Sequence, residues 1–355
     1  MKLDELNNLF THFIPWLSSQ FDRDTGGFYY ASSSIDPGEF KPDLESSAQA
    51  VSILEMTGLL AKVPVRTKDK MISFFQKRQT EKGYFLDPHN EMHTIDRMVA
   101  RAISYSVNSL SRLGSTPLYA PPGSNGGELP GHMQSLSNFQ QWLEERPWDN
   151  AWMACDNISA AIVYLRSMAD DQSQLFLDYL LPWLEMKQDG DTGMWGDGRP
   201  FIKLSGAFKL CLFYRKMNLP MPKADRIFDY LLETLKTDIA EDFCWVRNPV
   251  DLLSVLLEQI PQPETAILDQ IYKTTLENMS VFLKNDGGFS RGRENSLAMP
   301  NNQILGKGLA EGDMNAGTQA IRIRMLFHKI YGIKEDELNN SHLIESLGME
   351  KENNK

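Results

Sequence analysis

A turn that ends on an aromatic residue returns along this chain and restricts the fold more tightly than any other feature. It reads DTGGF ending at Phe28, EKGYF at Phe85, WDNAW at Trp152, DTGMW at Trp195, EDFCW at Trp245 and NDGGF at Phe289. Successive marks lie 43 to 67 residues apart, which leaves room for two helices and their connections. Self-similarity at such a period is the signature of a repeat architecture. Between the marks, apolar residues recur at helical spacing, and no clean two-residue alternation appears. Before a mark lies an amphipathic stretch, as in Leu175 to Lys187 and Ile267 to Lys284. After it comes a more apolar stretch rich in small residues, such as SSAQAVSILEMTG, CDNISAAIVYL and NAGTQAIRIRMLF. In the fifth repeat Leu252, Leu253, Val255, Leu256, Leu257 and Ile260 form an apolar face too broad for a surface helix. A helix apolar nearly all round has to be enclosed.

Six enclosed helices surrounded by six amphipathic ones predict an all-α chain, an (α/α)6 toroid of six helical hairpins. One such domain is expected over residues 1–335, followed by a polar tail over 336–355 that frays. The glycine of each turn is expected to release the preceding helix through a left-handed cap. The aromatic is expected to anchor the turn on the next pair. Two stretches interrupt the pattern, 116–134 and 290–312, and loops of that length usually carry function or are disordered.

The charge balance excludes some partners. A net charge of −11 with no basic run longer than those at Lys68 to Lys70 and Lys77-Arg78 argues against nucleic acid, which needs a clustered basic face. No stretch approaches the roughly 20 apolar residues that span a membrane. The start, MKLDELNNLFTHFIPWL, places Asp4 and Glu5 where a signal peptide would begin its apolar core. Cys155, Cys211 and Cys244 form an odd, widely spaced set, read as buried free thiols. A cytoplasmic address is expected, and the oligomeric state is left open.

The run LLPWLEMKQDGDTGMWG, Leu180 to Gly196, resembles the QW repeat of squalene and related terpene cyclases, through Gln188, Gly193 and Trp195. FFQKRQTEKGYF gives a weaker copy with Gln79, Gly83 and Phe85, and VFLKNDGGFS a degenerate third. The resemblance implies the toroid shared by terpenoid cyclases and protein prenyltransferase β-subunits. Within it the chain looks most like bacterial prenyltransferase-like single-toroid proteins. Catalytic signatures do not carry over: the nearest match to the DxDD acid motif is Asp189-Gly190-Asp191-Thr192, which lies in the turn. No Asp-x-Cys zinc element occurs, so no metal and no cofactor are expected. A second resemblance is to carbohydrate-active α/α barrels such as unsaturated glucuronyl hydrolases and sugar epimerases. It rests on FDRDTGGFYY, Phe21 to Tyr30, and DLESSAQAVSIL, Asp43 to Leu54.

In a toroid the cavity mouth is lined by the N-terminal ends of the enclosed helices, so polar residues just after each mark are the candidates. Asp96, Asp156 and Asp313 are the candidate catalytic carboxyls. Asp43, Glu45, Arg97, Arg101, Trp148, Trp152, Trp245, Arg247, Asp251, Arg291 and Glu311 are the candidate substrate contacts. Glu45 and Gln49 share a helix face. Asp43, Asp156 and Asp313 also have a plain alternative role as helix caps or first-turn acids. His89 and His93 stand four apart, yet Glu91 does not complete an HExxH motif.

Three functional readings follow. Under isoprenoid chemistry, which leads because the QW-like turn is the most specific motif, aromatics stabilise a carbocation and arginines hold a diphosphate. Under carbohydrate chemistry on an acidic sugar, tryptophans stack on sugar faces and two carboxyls act as acid and base. Under the third, a concave surface binds a peptide or glycan without chemistry. The expected partner is a small-molecule or oligosaccharide ligand.

Overall fold

A computed structural model describes residues 3–36, 38–89, 94–124, 128–335, 338 and 347. Among these residues every regular element is a helix, and extended pairing is confined to isolated bridges. The chain is all-α. In order it runs α1 (Asp4–Asn8), α2 (Phe13–Ser19) and α3 (Leu44–Met56), then α4 (Val65–Gln76) and α5 (Asp96–Arg112). It continues with α6 (Leu136–Glu144) and α7 (Ala151–Leu165), α8 (Asp170–Lys187) and α9 (Pro200–Lys216). The last pairs are α10 (Ala224–Thr237) with α11 (Phe243–Leu256), and α12 (Thr265–Phe282) with α13 (Met314–Tyr331). This is the element order of the (α/α)6 class, with the first outer position filled by two short helices.

Two compact units divide the chain. The first comprises Met1–Leu118, Glu241–Arg247 and Thr275–Lys355, the second Tyr119–Ala240 and Asn248–Thr274. In the first unit α3 packs against both α5 and α13, so the last helix of the chain lies against the first enclosed one. The same junction is tied by a bridge between Ala31 and Asp313 and by Met314 N–H donating to Tyr30 O at 2.8 Å. Gly317 lets α13 approach α2, because a Cβ there would stand 2.9 Å from the Trp16 ring. Beside it Phe10, Phe13, Phe243 and Phe289 form an aromatic cluster with neighbouring centroids 5.4 to 6.2 Å apart. Arg324 is 2% exposed, and its charge is met by Asn7 Oδ1 at 2.8 Å and Glu335 Oε2 at 2.9 Å. Of the expected tail, Leu338 and Leu347 alone are described. Leu347 is 2% exposed, and its carbonyl accepts from Thr67 Oγ1 at 2.8 Å.

In the second unit α7 packs on α9, and α9 on α10. Gly206 makes the first of these contacts possible, since a Cβ would come within 2.8 Å of Ala151 O. Cys155 and Cys211 are buried free thiols here, and burial pushes the Cys211 thiol up to about 12. The stretch 116–134 contains a short 3-10 turn, Gly131–Met133, and is anchored where Ser167 Oγ donates to Pro122 O at 2.7 Å.

The aromatic-closed turn has a physical basis in four of its six occurrences. Phe28, Phe85, Trp195 and Phe289 each form an antiparallel bridge back to the end of the preceding helix, at Phe21, Gln79, Gln188 and Leu283. All four aromatics are 0–1% exposed. In the fullest copy Gln188 Nε2 donates to Gly193 O at 2.9 Å, and Trp195 Nε1 to Leu184 O at 2.8 Å. Asp189 pulls the turn tight by accepting from Thr192 N and Thr192 Oγ1, both at 2.7 Å, which holds its carboxyl below the usual range.

Three expectations about these turns need correction. Gly26, Gly83, Gly193 and Gly287 do have positive φ, but they lie inside the turn and not at a helix cap. α8, for example, ends on Gln188 in extended conformation. There the Gln188–Trp195 bridge begins directly at the end of the helix, with no left-handed cap between. Trp152 and Trp245 are not turn anchors either: both sit within the first turn of their helices, α7 and α11, and are half-buried. In the fifth repeat the fully buried aromatic is Phe243, two residues earlier.

Candidate functional site

Three helices of the first unit each carry a polar pair four residues apart. On α3 the pair is Glu45 and Gln49, on α5 Arg101 and Tyr105, on α13 Asn315 and Gln319. Four-residue spacing places both members on one helix face, and here these faces meet. Glu45 is the hub. Its Oε1 accepts from Arg101 Nη2 at 2.9 Å, Gln49 Nε2 at 3.2 Å and Asn315 Nδ2 at 3.5 Å. Asn315 Oδ1 accepts from Gln319 Nε2 at 2.5 Å, and Gln319 Oε1 from Arg247 Nε at 3.5 Å. Arg101 also donates to Tyr105 OH at 3.1 Å. A polar line therefore runs from Arg101 through Glu45, Asn315 and Gln319 to Arg247. It crosses α5, α3, α13 and the first turn of α11.

The insertion at 290–312 reaches the same hub. Asn301 Nδ2 donates to Glu45 Oε2 at 3.2 Å. Asn301 and Asn302 have φ of 55° and 65°, a left-handed backbone that asparagine tolerates better than most residues. The insertion is also fixed where Ser34 Oγ donates to Leu305 O at 2.6 Å, and where Glu311 accepts from Ser33 N at 2.6 Å. Beside Glu45 and Arg101 a void of about 10 Å³, bounded by Met98, Tyr105 and Gln303, has room for a single water.

Two residues before the hub, Asp43 caps α3 by accepting from Ser46 N at 2.8 Å. Its neighbour Asp87 accepts from Leu44 N at 2.9 Å and from Arg78 Nε at 3.1 Å. Burial, reinforced by the negative charge of Asp87, pushes the Asp43 carboxyl up to about 7.

The remaining candidates fall apart by role. Asp313 is wholly buried and caps α13, accepting from Ala316 N at 2.9 Å and Arg291 N at 2.5 Å. Burial raises its carboxyl to about 7. Arg291 pairs with Asp242 at 2.9 Å, and Glu311 holds Ser33, so both fix loops. Asp96 is exposed on the first turn of α5 and Arg97 half-buried beside it, while His93 lies outside the described residues. In the second unit Asp156 pairs with Lys209 at 2.8 Å, in mid-helix and not at a cap. There Asp251 faces Arg215 at 3.9 Å, and the Trp148 ring lies against Trp183 with centroids 5.4 Å apart. Of the expected contacts, the hydrogen-bonded line brings together Glu45, Arg101 and Arg247.

Reading the first turns alone overlooked Gln319, Asn301, Tyr105 and Asp87. For Gln319 and Tyr105 a signal is present in the sequence: each stands four positions after another polar residue of its helix. Asn301 and Asp87 carry no such signal, because each reaches its partner through a loop.

No family model matches the chain, and no curated protein matches it. Among solved structures it is similar to an unsaturated glucuronyl hydrolase mutant from Streptococcus agalactiae complexed with dGlcA-GalNAc6S. That match has 12% identity over 93% of each chain and a TM-score of 0.48. The unmutated hydrolase from the same organism gives 12%, 93% of each chain and 0.45. A family 15 glucoamylase from Hypocrea jecorina gives 10% identity, 98% of this chain, 75% of that chain and 0.45.

Proposed function

We propose that the chain is a carbohydrate-processing protein of the α/α toroid type, with an acidic sugar as its ligand. The observation that carries this reading is the line of carboxylate, side-chain amides and two guanidiniums from Arg101 to Arg247. Amides and a carboxylate hydrogen-bond hydroxyl groups, and guanidinium forks match a sugar carboxylate. Glu45, held by Arg101, is the acceptor best placed to orient a hydroxyl or to take its proton.

The isoprenoid reading needs an aromatic wall around a carbocation. The aromatics of the repeated turns, Phe28, Phe85, Trp195 and Phe289, are instead core residues with no exposed face. Asp189, the nearest match to a cyclase acid, holds its own turn. Both points favour the sugar over the prenyl diphosphate.

A thermal-shift series tests the choice, since a true ligand raises the melting temperature by mass action. Uronic-acid oligosaccharides should stabilise the protein, and Glu45→Gln and Arg247→Ala should each weaken the shift. Stabilisation by farnesyl diphosphate and not by any uronic acid would reverse the assignment.

A further inference from the structure

A second feature of the first unit lies outside the polar line. A cavity of about 210 Å³ opens beside the N-terminus of α3, lined by Phe40, Pro42, Asp43, Asp87, Ile304 and Leu305, with charged residues among its other walls. It is many times the space one water needs, enough for a ring-sized molecule. Its walls are apolar at Phe40, Pro42, Ile304 and Leu305, while its carboxyls come from Glu39, Asp43 and Asp87.

Asp43 is 3% exposed, and the cap bond to Ser46 uses one of its oxygens. The other, Oδ2, has no hydrogen-bond partner among the described residues. A buried carboxyl oxygen without a donor is costly, and here it belongs to a residue that lines an open cavity. Asp87 does not share this condition, because Arg78 and the Leu44 N–H already satisfy it. Around the cavity Glu39, Asp43, Asp87 and nearby Glu45 oppose Lys41, Arg78 and His89, and Glu39 is paired with Lys307 at 3.1 Å. With Asp87 held by Arg78 and Glu39 by Lys307, Asp43 and Lys41 are the opposite charges left on the lining, and Asp43 keeps one carboxyl oxygen without a partner among the described residues.

We infer that this cavity binds a small free amine, its primary ammonium donating to Asp43 Oδ2 and its apolar body lying between Phe40 and Ile304. An ammonium supplies the missing donor together with a positive charge beside the carboxylate. A hydroxyl would supply a donor only. The inference goes beyond the sugar reading and does not depend on it.

Calorimetric titration of the full chain with benzylamine tests this, with benzyl alcohol as the uncharged counterpart. Wild type should bind benzylamine, and the alcohol should bind at least about tenfold more weakly. Because the Asp43 carboxyl titrates near 7 when the cavity is empty, and is therefore about half protonated at pH 7, binding there should release about half a proton per ligand. Heats measured in two buffers of different ionisation enthalpy read that release. Asp43→Asn keeps the helix cap, since asparagine caps as well as aspartate, and should lose both the affinity and the proton. Ile304→Lys changes a residue 65% exposed and places a competing ammonium at the mouth, so it should weaken binding without touching the core. The inference is overturned by no binding tighter than about 10 mM, by equal binding of amine and alcohol, or by unchanged affinity in either variant.

Discussion

Arg101 Nη2 stands 2.9 Å from Glu45 Oε1, joining two residues 56 positions apart through side chains 15% and 13% exposed. Removing the carboxylate strands a mostly buried guanidinium and the amides of Gln49, Asn301 and Asn315. A hydrogen bond to a charged group is worth about 1.5–3 kcal/mol. Glu45→Ala should therefore lower the unfolding free energy in urea by about 2–3 kcal/mol, and Glu45→Gln, which keeps the shape, by clearly less. Equal losses would mean that the charge does not organise the line.

Asp43 and Asp313 both titrate near 7 in the folded protein, against an ordinary 3.8, chiefly because they are buried. A raised carboxyl holds its proton more tightly folded than unfolded. Its contribution to stability is thus fully present below about pH 3.8 and is lost as pH rises through 7. The melting temperature of the wild type should fall between pH 5 and pH 8 from this source. Asp43→Asn should show a shallower fall, with the Asp313 contribution remaining. Parallel pH curves for the two proteins would refute the assignment.

Trp195 and Trp245 close similar sequence motifs but have different surroundings. Trp195 is fully buried and donates to Leu184 O at 2.8 Å, whereas Trp245 is half-buried on α11. Large-to-small changes in a core cost about 3–5 kcal/mol. Trp195→Ala should fall in that range, and Trp245→Ala well below it, by chemical denaturation. Gly193→Ala should also destabilise, since φ is 72° and its Cβ would meet Ile227 at 2.9 Å.

In the second unit Lys209 Nζ lies 2.8 Å from Asp156 Oδ1, with side chains 15% and 5% exposed. Removing one partner of a buried ion pair costs about 3–5 kcal/mol, because the other charge is left behind. Lys209→Met should be destabilising by roughly that amount, and adding Asp156→Asn should restore part of the loss. A double mutant cycle in urea reads the coupling, and additive losses would show that the two groups do not depend on each other.

The sequence by itself determined the helical class and the hairpin order and, at four of the six aromatic turns, the places where helices stop. These depend on local periodicity and on short turns whose partners are a few residues away, as with Gln188 and Trp195. It also marked Glu45, Arg101 and Arg247 as polar residues near the starts of apolar helices. It could not separate them from Asp313, another acid at the start of an enclosed helix, which is the N-cap of α13 and turns both oxygens to backbone N–H groups. Nor could it place Asn301 on Glu45, a contact between residues 256 positions apart made by a loop with left-handed backbone. Those distinctions rest on which side chains finish facing one another and how deeply they are buried, and packing among α3, α5 and α13 decides both. The aromatic turn that recurs through the chain sets the repeat, while the chemistry belongs to polar pairs on the helices that follow it.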